Sequence, residues 1–282
     1  MKEINDTITT LHNRIELPTL GYRVIGAHGH VYERVQKAIR AGYRFFDLST
    51  EPEVESEFAR ALEDSPISRA DIFLTVKIPN DDHGFNAAQR AFRQSLKRLK
   101  TDYVDLLLID WPNPKKFRDS YETTSVETWR ALESAYKSGA ARAIGVANYE
   151  ARHIEYLLEH VEIAPMVNEA RIYPGFPFTD NLTCAREHRI LTVGYMPVEY
   201  EKVLQSREIG IFAEKYHATP EQICIQYLFH KGCIALAYGE DEEKLQSNFL
   251  AYNVRLEDND VKYMDVMKNY GPANINPDEA DF

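Results

Sequence analysis

From about residue 30 the chain alternates between two kinds of segment. Short apolar runs, rich in β-branched and aromatic residues, stand at 43–47 (YRFFD), 72–77 (IFLTVK), 104–110 (VDLLLID), 143–146 (AIGV), 165–168 (PMVN), 190–195 (ILTVGY) and 233–236 (CIAL). Several are nearly continuous rather than alternating, as parallel strands covered on both faces should be. Between them lie stretches with helical spacing. In VYERVQKAIRAG, Val31, Val35 and Ala38 recur three and four residues apart, and Gly42 offers a C-terminal stop. Residues 87–99 put Phe92, Leu96 and Leu99 on one side, and Thr219, Pro220 and Gln222 spell a capping box with proline at the first helical position. With one more strand near Leu20, eight βα steps predict an α/β fold of the (β/α)8 TIM-barrel kind, a single domain over 1–282. The opening TITTLHNRIELP (7–18) holds two alternating runs around His12 and Asn13 and predicts an N-terminal β-hairpin that closes the barrel floor. The Pro/Asn/Asp-rich tail, 271–282, is expected to be irregular.

Charge and cysteine content narrow the class. Thirty-three Lys and Arg against 44 Asp and Glu leave a formal charge of −11, which disfavours nucleic-acid and anionic-membrane partners. No apolar run is long enough for a membrane span or a secretory signal. Cys184, Cys224 and Cys233 form no CxxC pair. So sparse and odd a count points to a reducing compartment, with the cytoplasm as default, and to buried, structurally inert thiols.

Barrel strand ends converge on the face that carries active sites. Asp47, Lys77 and Asp110 each end a predicted strand and form the candidate catalytic cluster. Two carboxylates would flank one ammonium, with Asp110 held anionic by Lys77. Glu55, Glu57 and Glu169 would add negative charge, while Arg23, Arg171 and Lys116 lie where they could receive an anionic substrate. His153 and His188 read as solvated or interfacial helix residues. A metal site at Asp81, Asp82 and His83 is disfavoured, because adjacent side chains diverge.

A further set of segments carries a resemblance. AGYRFFD (41–47), DDHG (81–84), SLKRLKTDYVDLLLIDWP (95–112), ETWRALESAYKSGAARAIGVANY (127–149), APMVNEARIYP (164–174), GYMP (194–197), KLQSNF (244–249) and NPDEAD (276–281) are similar, in order and over nearly the whole chain, to the aldo-keto reductases. The short bacterial members acting on diketogluconate-type substrates are the nearest in kind. The resemblance implies NADP or NAD as cofactor and an aspartate, tyrosine, lysine and histidine around the substrate carbonyl. Asp47 and Lys77 match two of these; Pro52 stands for the tyrosine and Asp110 for the histidine. Toward the cofactor, the resemblance assigns Asn148, Glu169 (in place of a glutamine that also donates), Tyr195 (a ring-stacking aromatic), Lys244 (in place of an arginine) and Asn248. Met196, Tyr238 and Gly239 depart from the pattern, and with Lys244 they weaken the expected grip on a phosphate.

Carbonyl reduction needs a proton donor as well as a hydride, and proline supplies none. The expectation is therefore a reductase-like barrel repurposed for non-redox acid–base chemistry on a small polar metabolite, which can be anionic. Proton transfer, dehydration and isomerisation are the natural reactions, with Lys77 steadying an oxyanion and Asp110 or Asp47 acting as base. One alternative is NAD(P)H-dependent carbonyl reduction with an atypical proton donor, for which Tyr22, Tyr173 and Tyr200 are phenols in mouth segments. Another is a non-catalytic barrel that binds a ligand or a partner protein. Substrate and oligomeric state stay open.

Overall fold

A computed structural model describes residues 7–26, 29–195, 201–270 and 276–281. Strands β1 (Ile8–Thr10) and β2 (Glu16–Pro18) pair antiparallel, with Ile8 opposite Pro18 and Thr10 opposite Glu16. Leu11 and Leu17 of this hairpin are buried, and the Asn13 amide donates to the Arg142 carbonyl at 2.9 Å. The hairpin thus seals the floor, as its alternation predicts.

Strands and helices then alternate: β3 (Leu20–Val24), α1 (Val31–Ala41), β4 (Phe45–Leu48), α2 (Pro52–Glu63), β5 (Phe73–Ile78), α3 (Phe85–Arg98), β6 (Leu106–Ile109), α4 (Tyr121–Lys137) and β7 (Ile144–Ala147). They continue with α5 (Ala151–Leu158), β8 (Val167–Arg171), α6 (Thr179–Glu187), β9 (Leu191–Tyr195), α7 (Glu201–Leu204), α8 (Arg207–Tyr216), α9 (Pro220–His230) and β10 (Ile234–Ala237). Helices α10 (Glu242–Ser247) and α11 (Asp258–Asp265) follow. Strands β3 to β10 close in chain order into a parallel barrel, β10 pairing back onto β3. This is the (β/α)8 barrel with an N-terminal hairpin.

The local signals explain the boundaries. Gly42 closes α1 at φ 109°, where its N–H reaches the Ala38 and Ile39 carbonyls. The Thr219 hydroxyl and Gln222 side chain cap the start of α9 reciprocally, with Pro220 at the first turn. All six residues of β5 are buried, which is why its apolar run is unbroken. At the β10–β3 seam the lining is tight: a Cβ on Gly21 would come within 2.7 Å of Leu236 and Phe45. All three cysteines are buried, as their apolar surroundings predict. Among the described residues no helix is long and apolar enough to cross a membrane.

Candidate active site

Strand register brings chemistry-bearing residues of distant sequence to one end of the barrel. Arg23 of β3 sits beside Asp47 of β4, Ala147 of β7 beside Glu169 of β8, and Arg171 of β8 beside Tyr195 of β9. At the centre, Lys77 of β5 donates to the Asp47 carboxylate and, at 3.3 Å, to the Leu48 carbonyl. Its third partner is Glu169 Oε1, also at 3.3 Å. All three residues are buried. Two hydrogen bonds and one ion pair thus hold the ammonium, with Glu169 drawn in by charge.

Here the structure corrects the expected cluster. Lys77 is flanked by Asp47 and Glu169, and no ion pair joins it to Asp110. Asp110 lies just past the end of β6, turned to the mouth, whereas Glu169 reaches Lys77 across the ring. Burial opposes the charge on Lys77, but the Asp47 and Glu169 carboxyls more than compensate and raise its pKa above the usual lysine range. That rules against a neutral amine nucleophile.

Glu169 holds a proton. Burial, reinforced by the neighbouring Asp47, pushes its carboxyl up to about 8. Asp47 Oδ2 is buried without a hydrogen-bond donor and lies 3.8 Å from Arg23 Nε. The Glu169 carboxyl is within hydrogen-bond reach of Asp47, so in its acid form it can donate to that carboxylate. As an acid, Glu169 both donates and accepts, like the glutamine amide it replaces; the expectation that it had lost its donor holds only for the ionised form.

Around this cluster runs a polar rim. The Tyr195 hydroxyl donates to Asn148 Oδ1 at 2.7 Å, and Asn148 Nδ2 donates to the Asp110 carbonyl at 2.9 Å. Asn148 is left-handed at φ 62°, a conformation asparagine tolerates, and its N–H meets the Glu169 carbonyl at 2.7 Å. The Arg23 guanidinium lies 4.0 Å from the centre of the Tyr195 ring. The ring face expected to stack on a nicotinamide therefore already carries a planar cation. Asp110 differs from every other acid here. Its carboxyl accepts no hydrogen bond and meets no cation within ion-pair distance among the described residues, and it is only half-buried. Desolvation raises its pKa and outweighs the nearby charges of Lys77 and Arg23, so the shift runs opposite to the lowering expected from Lys77.

Two of the three expected phenols are engaged elsewhere. Tyr22 donates to the Gly239 carbonyl at 2.7 Å and Tyr173 to Asn269 at 3.0 Å, while Tyr200 and Met196 lie outside the described residues. Pro52 opens α2 as an exposed first-turn residue, a position that suits its missing N–H. Lys116 is drawn away to Asp81, donating to its carbonyl at 2.8 Å. Of the two readings for His153, the interfacial one holds: its ring is buried and meets Asp278 of the tail at 3.1 Å.

Two cavities open beside this rim. A small one, about 60 Å³, is lined by Trp111, Asn148, Phe176, Phe178, Tyr195 and Pro277 among others. The tail forms its wall: Trp111 Nε1 donates to the Pro277 carbonyl at 2.9 Å, and Asn113 and Arg152 hold Asp278. The sequence signal for this latch was NPDEAD, which side chains of the β6–α4 loop and of α5 pin. A larger cavity, about 570 Å³, lies beyond β10 and is lined by Glu201, Glu221, Tyr238, Glu240, Lys244 and Asn248, with Gly239 and Asp241 completing the loop. Its acidic lining was missed; the run GEDEE (239–243) directly after a strand was the available signal.

Comparison with known proteins identifies the frame in which this geometry belongs. A model of the aldo/keto reductase family matches residues 27–269. Glyoxal reductase of Bacillus subtilis is 31% identical over 281 residues, 99% of each chain. An aldo-keto reductase enzyme from a Medee basin deep-sea metagenome superposes with a TM-score of 0.88 at 28% identity, covering 98% of this chain and 100% of that one. A Bombyx mori aldo-keto reductase in complex with NADP does so at 0.81 and 25% identity, covering 92% and 91%. These findings overturn the expectation of repurposed, non-redox acid–base chemistry: full-length relatives are reductases, and a neighbour of the same fold holds the redox cofactor. Barrel, hairpin, mouth cluster and sequence similarity agree, and the chain belongs to the aldo/keto reductase family.

Proposed function

We propose that the protein is an NAD(P)H-dependent carbonyl reductase in which Asp110, rather than a tyrosine, delivers the proton. In this reading Pro52 and Asp110 stand where the family keeps its phenol and imidazole. Reduced nicotinamide, when bound, supplies the hydride. The chain's residues suit such a cofactor: Asn148 and the acid form of Glu169 present amide-like donors and acceptors beside the Tyr195 ring. Tyr238, Lys244 and Asn248 offer a ring, an ammonium and an amide around the outer cavity.

The observation that carries the proposal is the unpartnered Asp110 carboxyl at the rim, with its raised pKa. An acid at the rim that keeps some solvent contact can protonate a developing alkoxide and recover its proton from solvent. Lys77, hydrogen-bonded to Asp47 and Leu48 and paired with Glu169, keeps the two carboxyls in place. The small cavity favours a compact substrate. At about 60 Å³ it suits a short dicarbonyl such as the glyoxal of the Bacillus relative's name.

The test is cofactor oxidation in the presence of glyoxal. Wild-type protein should turn over, and Asp110→Ala should lower kcat by about 10²–10³-fold while cofactor affinity, read by fluorescence quenching, stays within twofold. Asp110→Glu should restore part of the rate. Activity should fall as pH rises through the Asp110 pKa, because the acid form is required. Full turnover by Asp110→Ala would remove Asp110 from this role, and absence of turnover with either nucleotide would end the proposal.

A further inference from the structure

We infer that the hollow between α3 and α4, on the outside of the barrel, is a binding site for a medium-chain carboxylate, with the alkyl chain inside and the carboxylate at its mouth. The site is separate from the reductase mouth. Ile78, part of its floor, follows Lys77 on β5, so the two side chains point to opposite faces of the strand.

The hollow holds about 220 Å³. Its floor is Ile78 of β5 and Leu107 of β6, both buried, and its walls include Phe92 and Leu96 of α3 and Ala131 and Ala135 of α4. Alanine at both α4 positions leaves room that a larger side chain would fill. Among the described residues no acid lines it. An apolar cavity of roughly 150 Å³ accepts a benzene ring, so this one has space for a chain of about six to eight carbons.

The mouth is polar and positively charged. The Arg93 guanidinium donates to the Gln89 carbonyl at 3.1 Å and to Gln89 Oε1 at 3.0 Å, and Gln89 Nε2 donates across to Ser134 Oγ on α4 at 3.4 Å. These partners are neutral, and Arg93 makes no ion pair among the described residues. Arg90 and Lys97 stand about one turn to either side on the same exposed face, likewise without an ion pair among the described residues. Arg98, the fourth cation of α3, is spent on Glu55. In a chain of net charge −11, α3 carries no aspartate or glutamate at all. That local excess of positive charge suits an anion, and the hollow beneath it suits an alkyl chain. A carboxylate on a chain satisfies both, whereas an inorganic anion uses only the first and a hydrocarbon only the second.

Isothermal titration of the full chain with butanoate, hexanoate and octanoate, and with octanol as the neutral counterpart, tests this. Binding of the carboxylates should tighten by about fourfold per added methylene and level off once the hollow is full. Arg93→Glu, at an exposed position, should lower the ratio of octanoate to octanol affinity by about fivefold with an unchanged melting temperature, and the ratio in the wild type should fall as salt rises. Ala131→Leu, which fills the hollow, should weaken octanoate by at least about tenfold. Octanoate binding that is unmoved by both variants would place the carboxylate elsewhere and overturn the inference, as would its failure to bind at millimolar concentration. A dimer in sedimentation that Ala131→Leu dissolves would give the hollow to a second copy of the chain and overturn it as well.

Discussion

Two acidic regions of the same rim behave in opposite ways. In the barrel centre, Asp47 and Glu169 are buried and can exist only because Lys77 and one shared proton neutralise them. Beyond β10, Glu201 and Glu240 are exposed and make no ion pair among the described residues. A buried carboxylate must be matched to survive desolvation, so the inner site is preset and nearly closed. A solvated carboxylate costs little and remains available to choose a ligand. Acid in the first place builds the site; in the second it stays solvated.

The sharpest way to break this contrast is to remove the inner counter-charge. Lys77→Met leaves Asp47 beside Glu169 in a dry site, and should cost about 3–5 kcal/mol of stability in urea denaturation. A loss below about 1 kcal/mol would mean that the centre is as solvated as the outer cavity. Next in size is the tail that walls the small cavity. Asp278→Ala removes the contacts to Asn113, Arg152 and His153 and should lower stability by about 1–2 kcal/mol. The Michaelis constant for glyoxal should rise while kcat is held; an unchanged constant would show that Pro277 does not shape the pocket.

The Glu169 proton gives a pH signature. Its pKa is 4.5 in the unfolded chain and about 8 in the folded one, so between these values the folded state binds the extra proton. Stability contributed by this group is therefore greatest at low pH and falls as pH rises through that window. Glu169→Gln should flatten the dependence when melting temperature is followed across it; a profile identical to wild type would place the proton on another group. The smallest effect concerns Arg23. Its guanidinium competes for the Tyr195 face, and a cation–π contact of ~0.5–1 kcal/mol predicts that Arg23→Ala tightens cofactor binding by about two- to fivefold. Weaker binding would mean that Arg23 helps hold the cofactor rather than standing in its place.

Much of this was legible along the chain. The unbroken run at 72–77, the stop at Gly42 and the capping box at Thr219 are local signals, and each element forms where they point. Asp47, Lys77 and Asp110 do reach the mouth. What failed was the pairing between them: Lys77 takes Glu169, three strands away around the ring, in preference to Asp110 on the adjacent strand's end. The Arg23–Tyr195 stack and the Asp278 latch were illegible for the same reason, since each joins residues more than a hundred positions apart.

The sequence alone determined the βα rhythm, the hairpin, the family and the set of ionisable residues at the strand ends, because periodicity and turn chemistry act over a few residues at a time. Only the tertiary structure decided which acid neutralises Lys77, which holds a proton, which is left unpartnered, and how much room the mouth leaves. Those outcomes depend on distance and desolvation across a closed ring, and neither quantity exists until the ring has closed.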